Sequence, residues 1–70
     1  MISLQVNGKK VGLGEPTPLL VYLRQLGVDP RAVAVEHNGE IIDRAAFETV
    51  VLADSDQVEI VRMVGGGQKP

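Results

Sequence analysis

Two Asn-Gly steps, each set between alternating apolar residues, place the tightest limit on how this chain of 70 residues folds. Asn and Gly both tolerate positive φ, so the dipeptide favours two-residue turns whose twist matches that of a β-hairpin. In "ISLQVNGKKVGL", Ile2, Leu4 and Val6 alternate with Ser3, Gln5 and Asn7, and Val11 and Leu13 alternate on the return. Period-two alternation predicts a half-buried strand on each side of the turn. In "AVAVEHNGEII", residues 32–36 predict a third strand, with Val33 and Val35 sharing one face with His37, and Glu40–Ile42 forms a short return strand.

A helix fits between the hairpins. Thr17 is placed to cap its free N–H groups, and Pro18 suits the first helical position, where no intrahelical donor is needed. Leu19, Leu20, Leu23 and Leu26 then fall on one face, with Arg24 and Gln25 outward. Gly27 ends the helix in the left-handed conformation, and Asp29-Pro30 prevents an immediate restart. Asp43–Glu48 reads as a turn or a short helical piece carrying Phe47 to the core. Val50–Leu52 is a brief extended segment, and Asp54-Ser55-Asp56 is a turn. Gln57–Val64 is the longest strand, with Val58, Ile60 and Val64 on one face.

The order is β-β-α-β-β-β, an α+β class in which one helix buries its stripe against one face of a mixed sheet of four to five strands. If the last strand is central, it needs apolar residues on both faces, and Val61 and Met63 supply the second. Residues 1–64 then form the domain, and residues 65–70 a glycine-rich tail. At this length the buried fraction is small, and there is no cysteine to add a disulfide. The apolar fraction of 44% is still enough for a core.

The chain has little catalytic inventory. His37 is the only histidine and has no second imidazole near it in sequence, which favours a turn or surface role over metal binding or base catalysis. Ser3 and Ser55 lack a local His or Asp constellation. Gly12-Leu13-Gly14 does not continue as a dinucleotide fingerprint, and no phosphate-loop motif is present. With a formal charge of -2 and only Tyr22 and Phe47 as aromatics, nucleic acid is not an expected partner. No apolar run approaches a membrane span, and a soluble, cytoplasmic protein is expected. These features point to a carrier, binder or subunit that works through other proteins. Gly65-Gly66-Gly67, following directly on the last strand, is then the candidate working end. Three extended residues reach roughly 10 Å, and without side chains they can enter a narrow channel.

"ISLQVNGKK", "LLVYLRQLG", "VAVEHNGEIIDRAAF" and "DSDQVEIVRMVGGG", in this order, resemble the β-grasp, ubiquitin-like sulfur carriers, in particular those of thiamine thiazole biosynthesis. The resemblance covers nearly the whole chain. It implies that the terminal glycine carboxylate is adenylated by an E1-like partner that uses ATP. Sulfur from a donor such as a cysteine desulfurase then converts it to a thiocarboxylate, which feeds a thiazole synthase. The carrier itself binds no cofactor and no metal. The reacting residue is Gly67, or Gly66 if processing occurs one residue earlier, and Gly65, Gly66 and Gly67 enter the partner channel. Because Gln68-Lys69-Pro70 follows, the working form requires a tail-processing protease. Val61 and Met63 either cover the second sheet face or, with Arg62 and Val64, form the docking patch. The family commonly has Pro-Arg where this chain has Asp43-Arg44, and Asp-Gly-Asp where it has Asp54-Ser55-Asp56. Carriers for molybdopterin, cysteine or tRNA thiolation, a ubiquitin-like modifier that forms isopeptide bonds, and a plain interaction domain are the alternatives of the same fold.

Overall fold

A computed structural model describes residues 1–63. The tail assigned to residues 65–70, and Val64 before it, lie outside the described residues. The main sheet has five strands: β1 (Ile2–Val6), β2 (Lys9–Leu13), β4 (Val33–His37), β5 (Glu40–Ile42) and β7 (Gln57–Arg62), in the order β2-β1-β7-β4-β5. The last strand in sequence is therefore central. It runs parallel to β1, with Val6 opposite Val58, and antiparallel to β4, with Val35 opposite Ile60. Both Asn-Gly steps form the expected turns. Asn7 and Gly8 have φ of 52° and 81°, and Asn38 and Gly39 of 52° and 88°, the left-handed pair that a tight hairpin requires.

Helix α1 (Leu19–Gln25) lays Leu19, Tyr22 and Leu23 into a core shared with Ile2, Leu4, Val6, Val33, Val35, Phe47, Leu52 and Val58. This is the one-helix mixed sheet expected from the element order, and the β-grasp arrangement that the family resemblance implies. Its end follows the sequence reading. Gly27 is left-handed (φ 76°), its N–H donates to the Arg24 carbonyl, and the Val28 N–H donates to that of Leu23, the paired closure of a Schellman motif. Leu26 departs from the expected stripe. It sits at the C-cap, where the chain leaves the core, and is exposed, while Tyr22 takes the inward position.

The start of the helix differs more. Thr17 does not cap it; no side-chain cap bond forms, and Pro18 occupies the N-cap itself. Thr17–Pro18 is a two-residue strand, β3, paired antiparallel with β6 (Val51–Leu52). The Leu19 N–H donates to the Val50 carbonyl at 2.9 Å, so a distant backbone group satisfies the donor that a cap would have served. The buried Thr17 hydroxyl instead donates to the Glu15 carbonyl at 2.8 Å. Asp29 also does more than interrupt. It accepts from the Arg31 N–H at 2.9 Å and opens a 3-10 turn over Pro30–Ala32, so the third strand begins at Val33 rather than Ala32. Asp43 precedes a second 3-10 turn, Arg44–Ala46, which delivers Phe47 to the core as expected.

The turn Asp54-Ser55-Asp56 zips onto β1. Ser3 N–H donates to Asp54 Oδ1 (2.8 Å), Ser55 N–H to the Ser3 carbonyl (2.7 Å), and Gln5 N–H to the Asp56 carbonyl (2.9 Å). Ser55 is held at φ 71°, a conformation that costs an L-residue roughly 1–2 kcal/mol and glycine almost nothing. Replacing it with glycine is expected to stabilise the domain: Ser55→Gly should raise unfolding free energy by about 0.5–1 kcal/mol, read from urea denaturation midpoints.

Candidate functional site

Strand β7 alternates between two environments. Val58 is buried and Ile60 half-buried against the helix side, while Glu59, Val61 and Met63 point away from it. Val61 is 60% and Met63 50% exposed, so neither is covered by the described chain. They stand on an open face, which Ala34 and Glu36 of β4 and Ile41 of β5 extend. Ala34 lies opposite Val61, and Glu36 opposite both Glu59 and Ile41. Together these residues line a shallow groove, apolar toward Val61 and Ile41 and bordered by two carboxylates facing each other across the strands.

Arg62 does not share that face. By strand alternation it lies on the helix side, and with Met63 it borders a second groove formed by Gly27, Val28, Asp29, Ala32 and Val33. The Met63 N–H donates to the Ala32 carbonyl at 2.8 Å, so β7 stays paired with the β4 side to the end of the described chain. Val61 and Met63 thus share a face by alternation, while Arg62 lies on the other and meets Met63 at the second groove. Val64, Gly65, Gly66 and Gly67 lie outside the described residues. Ile41, which is 78% exposed, was missed as a candidate. Its signal was available: Ile42 must face inward opposite Val35, which turns Ile41 outward.

The polar residues gather at the other end of β7. The His37 Nε2–H donates to Asp56 Oδ2 at 2.8 Å, and both side chains are largely buried. Asp56 Oδ2 also accepts from the Ala53 N–H (2.8 Å), and Oδ1 from Asn38 Nδ2 (3.2 Å). Burial alone would raise the Asp56 pKa, but the bonds from His37, Ala53 and Asn38 outweigh it and hold the carboxyl below its usual value. His37 therefore serves a turn, as its sequence context suggested, and the cluster is a structural clip. Among the described residues, no three His, Asp or Glu side chains are grouped to hold a metal ion, and no helix is long and apolar enough to cross a membrane.

The match to the ThiS family runs over residues 3–67. The chain belongs to the ThiS family. A sulfur carrier protein ThiS of Bacillus subtilis is 40% identical over 65 residues, which cover 91% of this chain and 98% of that protein. The crystal structure of a thiamine biosynthesis protein (ThiS) from Geobacter metallireducens matches with a TM-score of 0.81 at 36% identity, covering 94% of this chain and 100% of the other. A thiazole synthase of Magnetococcus marinus is 38% identical over 99% of this chain, yet this chain spans only 21% of its length. The ThiS assignment thus agrees with the β-grasp fold and with the family resemblance of the sequence.

The depressed Asp56 carboxyl makes the clip pH-dependent. A folded-state pKa below the unfolded value contributes stability that is present above the unfolded pKa, about 3.9, and lost as pH falls through the folded one. Urea midpoints followed from neutral pH downward should therefore drop below about pH 4, and Asp56→Asn should lower the neutral midpoint while flattening that acid slope.

Proposed function

We propose that this protein is the sulfur carrier of thiamine thiazole synthesis, with Gly67 as its reacting residue. The observation that carries the reading is the continuity of the family match from residue 3 to Gly67, through a central strand that leads by sequence into the glycines. The near full-length similarity to the Bacillus subtilis carrier supports the same role. The protein acts as carrier and substrate, and its partners supply the catalysis. An E1-like enzyme binds ATP and joins AMP to the Gly67 carboxylate, releasing pyrophosphate. The carboxylate is a poor electrophile, and the adenylate provides it with a leaving group. The terminal sulfur of a persulfide donor, such as a cysteine desulfurase, attacks the adenylate and displaces AMP to give an acyl disulfide, and a thiol, itself oxidised to a disulfide, cleaves the S–S bond to leave a terminal thiocarboxylate. A thiazole synthase takes that sulfur, and the similarity to a longer thiazole synthase chain supports this partner. The work is assigned to the cytoplasm.

This chemistry requires a free carboxylate at Gly67, and in the sequence that carbonyl is bonded to Gln68. Removal of Gln68-Lys69-Pro70 by a protease is part of the proposal, with cleavage after Gly66 the less favoured alternative. The end of the family match at Gly67 supports the first cut. The chain ending at Gly67, incubated with ATP, the E1-like enzyme, a persulfide donor and a thiol reductant, should gain mass equal to exchange of one oxygen for sulfur. An unchanged mass, or adducts linked to lysine, would reject the carrier role.

The open face of Ile41, Val61 and Met63 is assigned to docking these partners, because exposed apolar residues are what a protein interface buries, and Ile41 and Val61 line one groove of that face. Met63→Asp should slow adenylation by at least tenfold, about 1.4 kcal/mol of lost contact, while circular dichroism and the urea midpoint remain close to wild type. Loss of the folded signal would show instead that Met63 supports the sheet.

A further inference from the structure

Strand β7 loses its β1 neighbour before it ends. The last backbone bond between them is Asn7 N–H to the Val58 carbonyl, at 2.9 Å. At Asn7 the chain turns left-handed and leaves for β2. Ile60, two residues further on, presents its N–H and C=O to the side that β1 has vacated. The Asn7 side chain fills the gap. Its Oδ1 accepts from the Ile60 N–H at 2.7 Å, and its Nδ2 donates to the Ile60 carbonyl at 3.2 Å. A carboxamide carries the same donor and acceptor as a peptide group. Asn7 thus imitates one more residue of β1 and extends the parallel ladder without extending the strand.

Asn38 repeats the device at the other end. Its N–H donates to the Gln57 carbonyl (2.7 Å), and its Oδ1 accepts from the Gln57 N–H (2.8 Å). The two turns share their geometry, but they grip different places. Asn38 holds the first residue of β7, and Asn7 holds the stretch from which Val61, Arg62 and Met63 continue toward the glycines. Beyond Ile60 the β4 side alone has backbone partners, with Val33 opposite Arg62.

We propose that Asn7 is a positioning residue for sulfur loading: its carboxamide fixes the course of β7 over Ile60–Met63, the stretch that leads by sequence into the reacting glycines. The consequence for loading rests on the carrier role proposed above; the clamp itself does not. The physical reason is orientation. A strand held from both sides keeps its course, whereas one held from one side swings, and an acceptor carboxylate that must meet ATP in a partner site loses rate when its approach is spread over many directions.

Asn7→Gly tests this, because glycine keeps the left-handed turn and deletes only the amide. Asn38→Gly is the matched control, removing the same group from a turn of the same shape at the distant end. In the full chain, Asn7→Gly should speed hydrogen exchange at the Ile60 amide about tenfold and reorient the N–H vectors of Val61–Met63 in residual dipolar couplings; Asn38→Gly should do neither. In chains ending at Gly67, at a temperature where both variants are fully folded, Asn7→Gly should lower kcat for thiocarboxylate formation about fivefold. The fall in kcat should exceed any change in the KM for the carrier, because Ala34, Glu36 and Ile41 of the docking face are untouched. Asn38→Gly should load at the wild-type rate. Unchanged Ile60 exchange and couplings overturn the clamp. Unchanged kcat, or an equal loss in both variants, overturns the positioning role. A wild-type chain that fails to load rejects the carrier role instead, and the exchange and coupling results still decide the clamp.

Discussion

Pairing of β7 on both sides is the constraint from which the rest of this fold follows. The strand takes hydrogen bonds from a parallel neighbour on one side and an antiparallel neighbour on the other, and each neighbour begins a hairpin closed by an Asn-Gly turn. Neither hairpin is independently stable in water. Joined through β7, they form one face broad enough to receive α1, and Val58 at the middle of that face is almost wholly buried. Without a disulfide and with a core this small, the domain depends on the long-range register of one strand.

The same strand separates support from function by its period of two. Its inward residues bind the hairpins to the helix, and its outward residues stay open. Changes to Val61 or Met63 therefore cost little in packing, whereas a one-residue slip in register would exchange the two sets. The polar clip of His37, Asn38 and Asp56 holds the start of β7, and the Asn7 amide holds it near the end. Gln57 to Ile60 thus lies between two fixed points.

Much of this was legible in the sequence because its signals are local. The Asn-Gly turns, the alternation in β1 and β4, Gly27 as helix terminator and Phe47 at a helical turn each depend on a few adjacent residues. The features that were not legible depend on partners far along the chain. Thr17-Pro18 has the local chemistry of a helix start, and only its pairing with Val51–Leu52 makes it a strand. Asn7 reads as a turn residue; its bonds to Ile60 span 53 positions. Leu26 fits the apolar stripe, but the helix stops before it can turn inward. At the candidate site, the shared face of Val61 and Met63 follows from alternation, and the same rule separates Arg62 from them. Ile41 became visible only once the partner of β5 was known.

The order of the main sheet leaves β2 and β5 as its borders. A protein that keeps bare apolar surface for others to grip runs the risk of gripping itself, and unpaired strand borders are the usual route to such self-association. Here each border is made unattractive in a different way. β2 begins with Lys9 and Lys10, both exposed, and β5 is only three residues long and starts with Glu40. Two copies brought border to border would confront like charges or too few backbone groups to hold. The chain thus carries an open apolar face while its rims stay inert to strand addition, so that its bare surface and its backbone edges do not reinforce one another toward fibres.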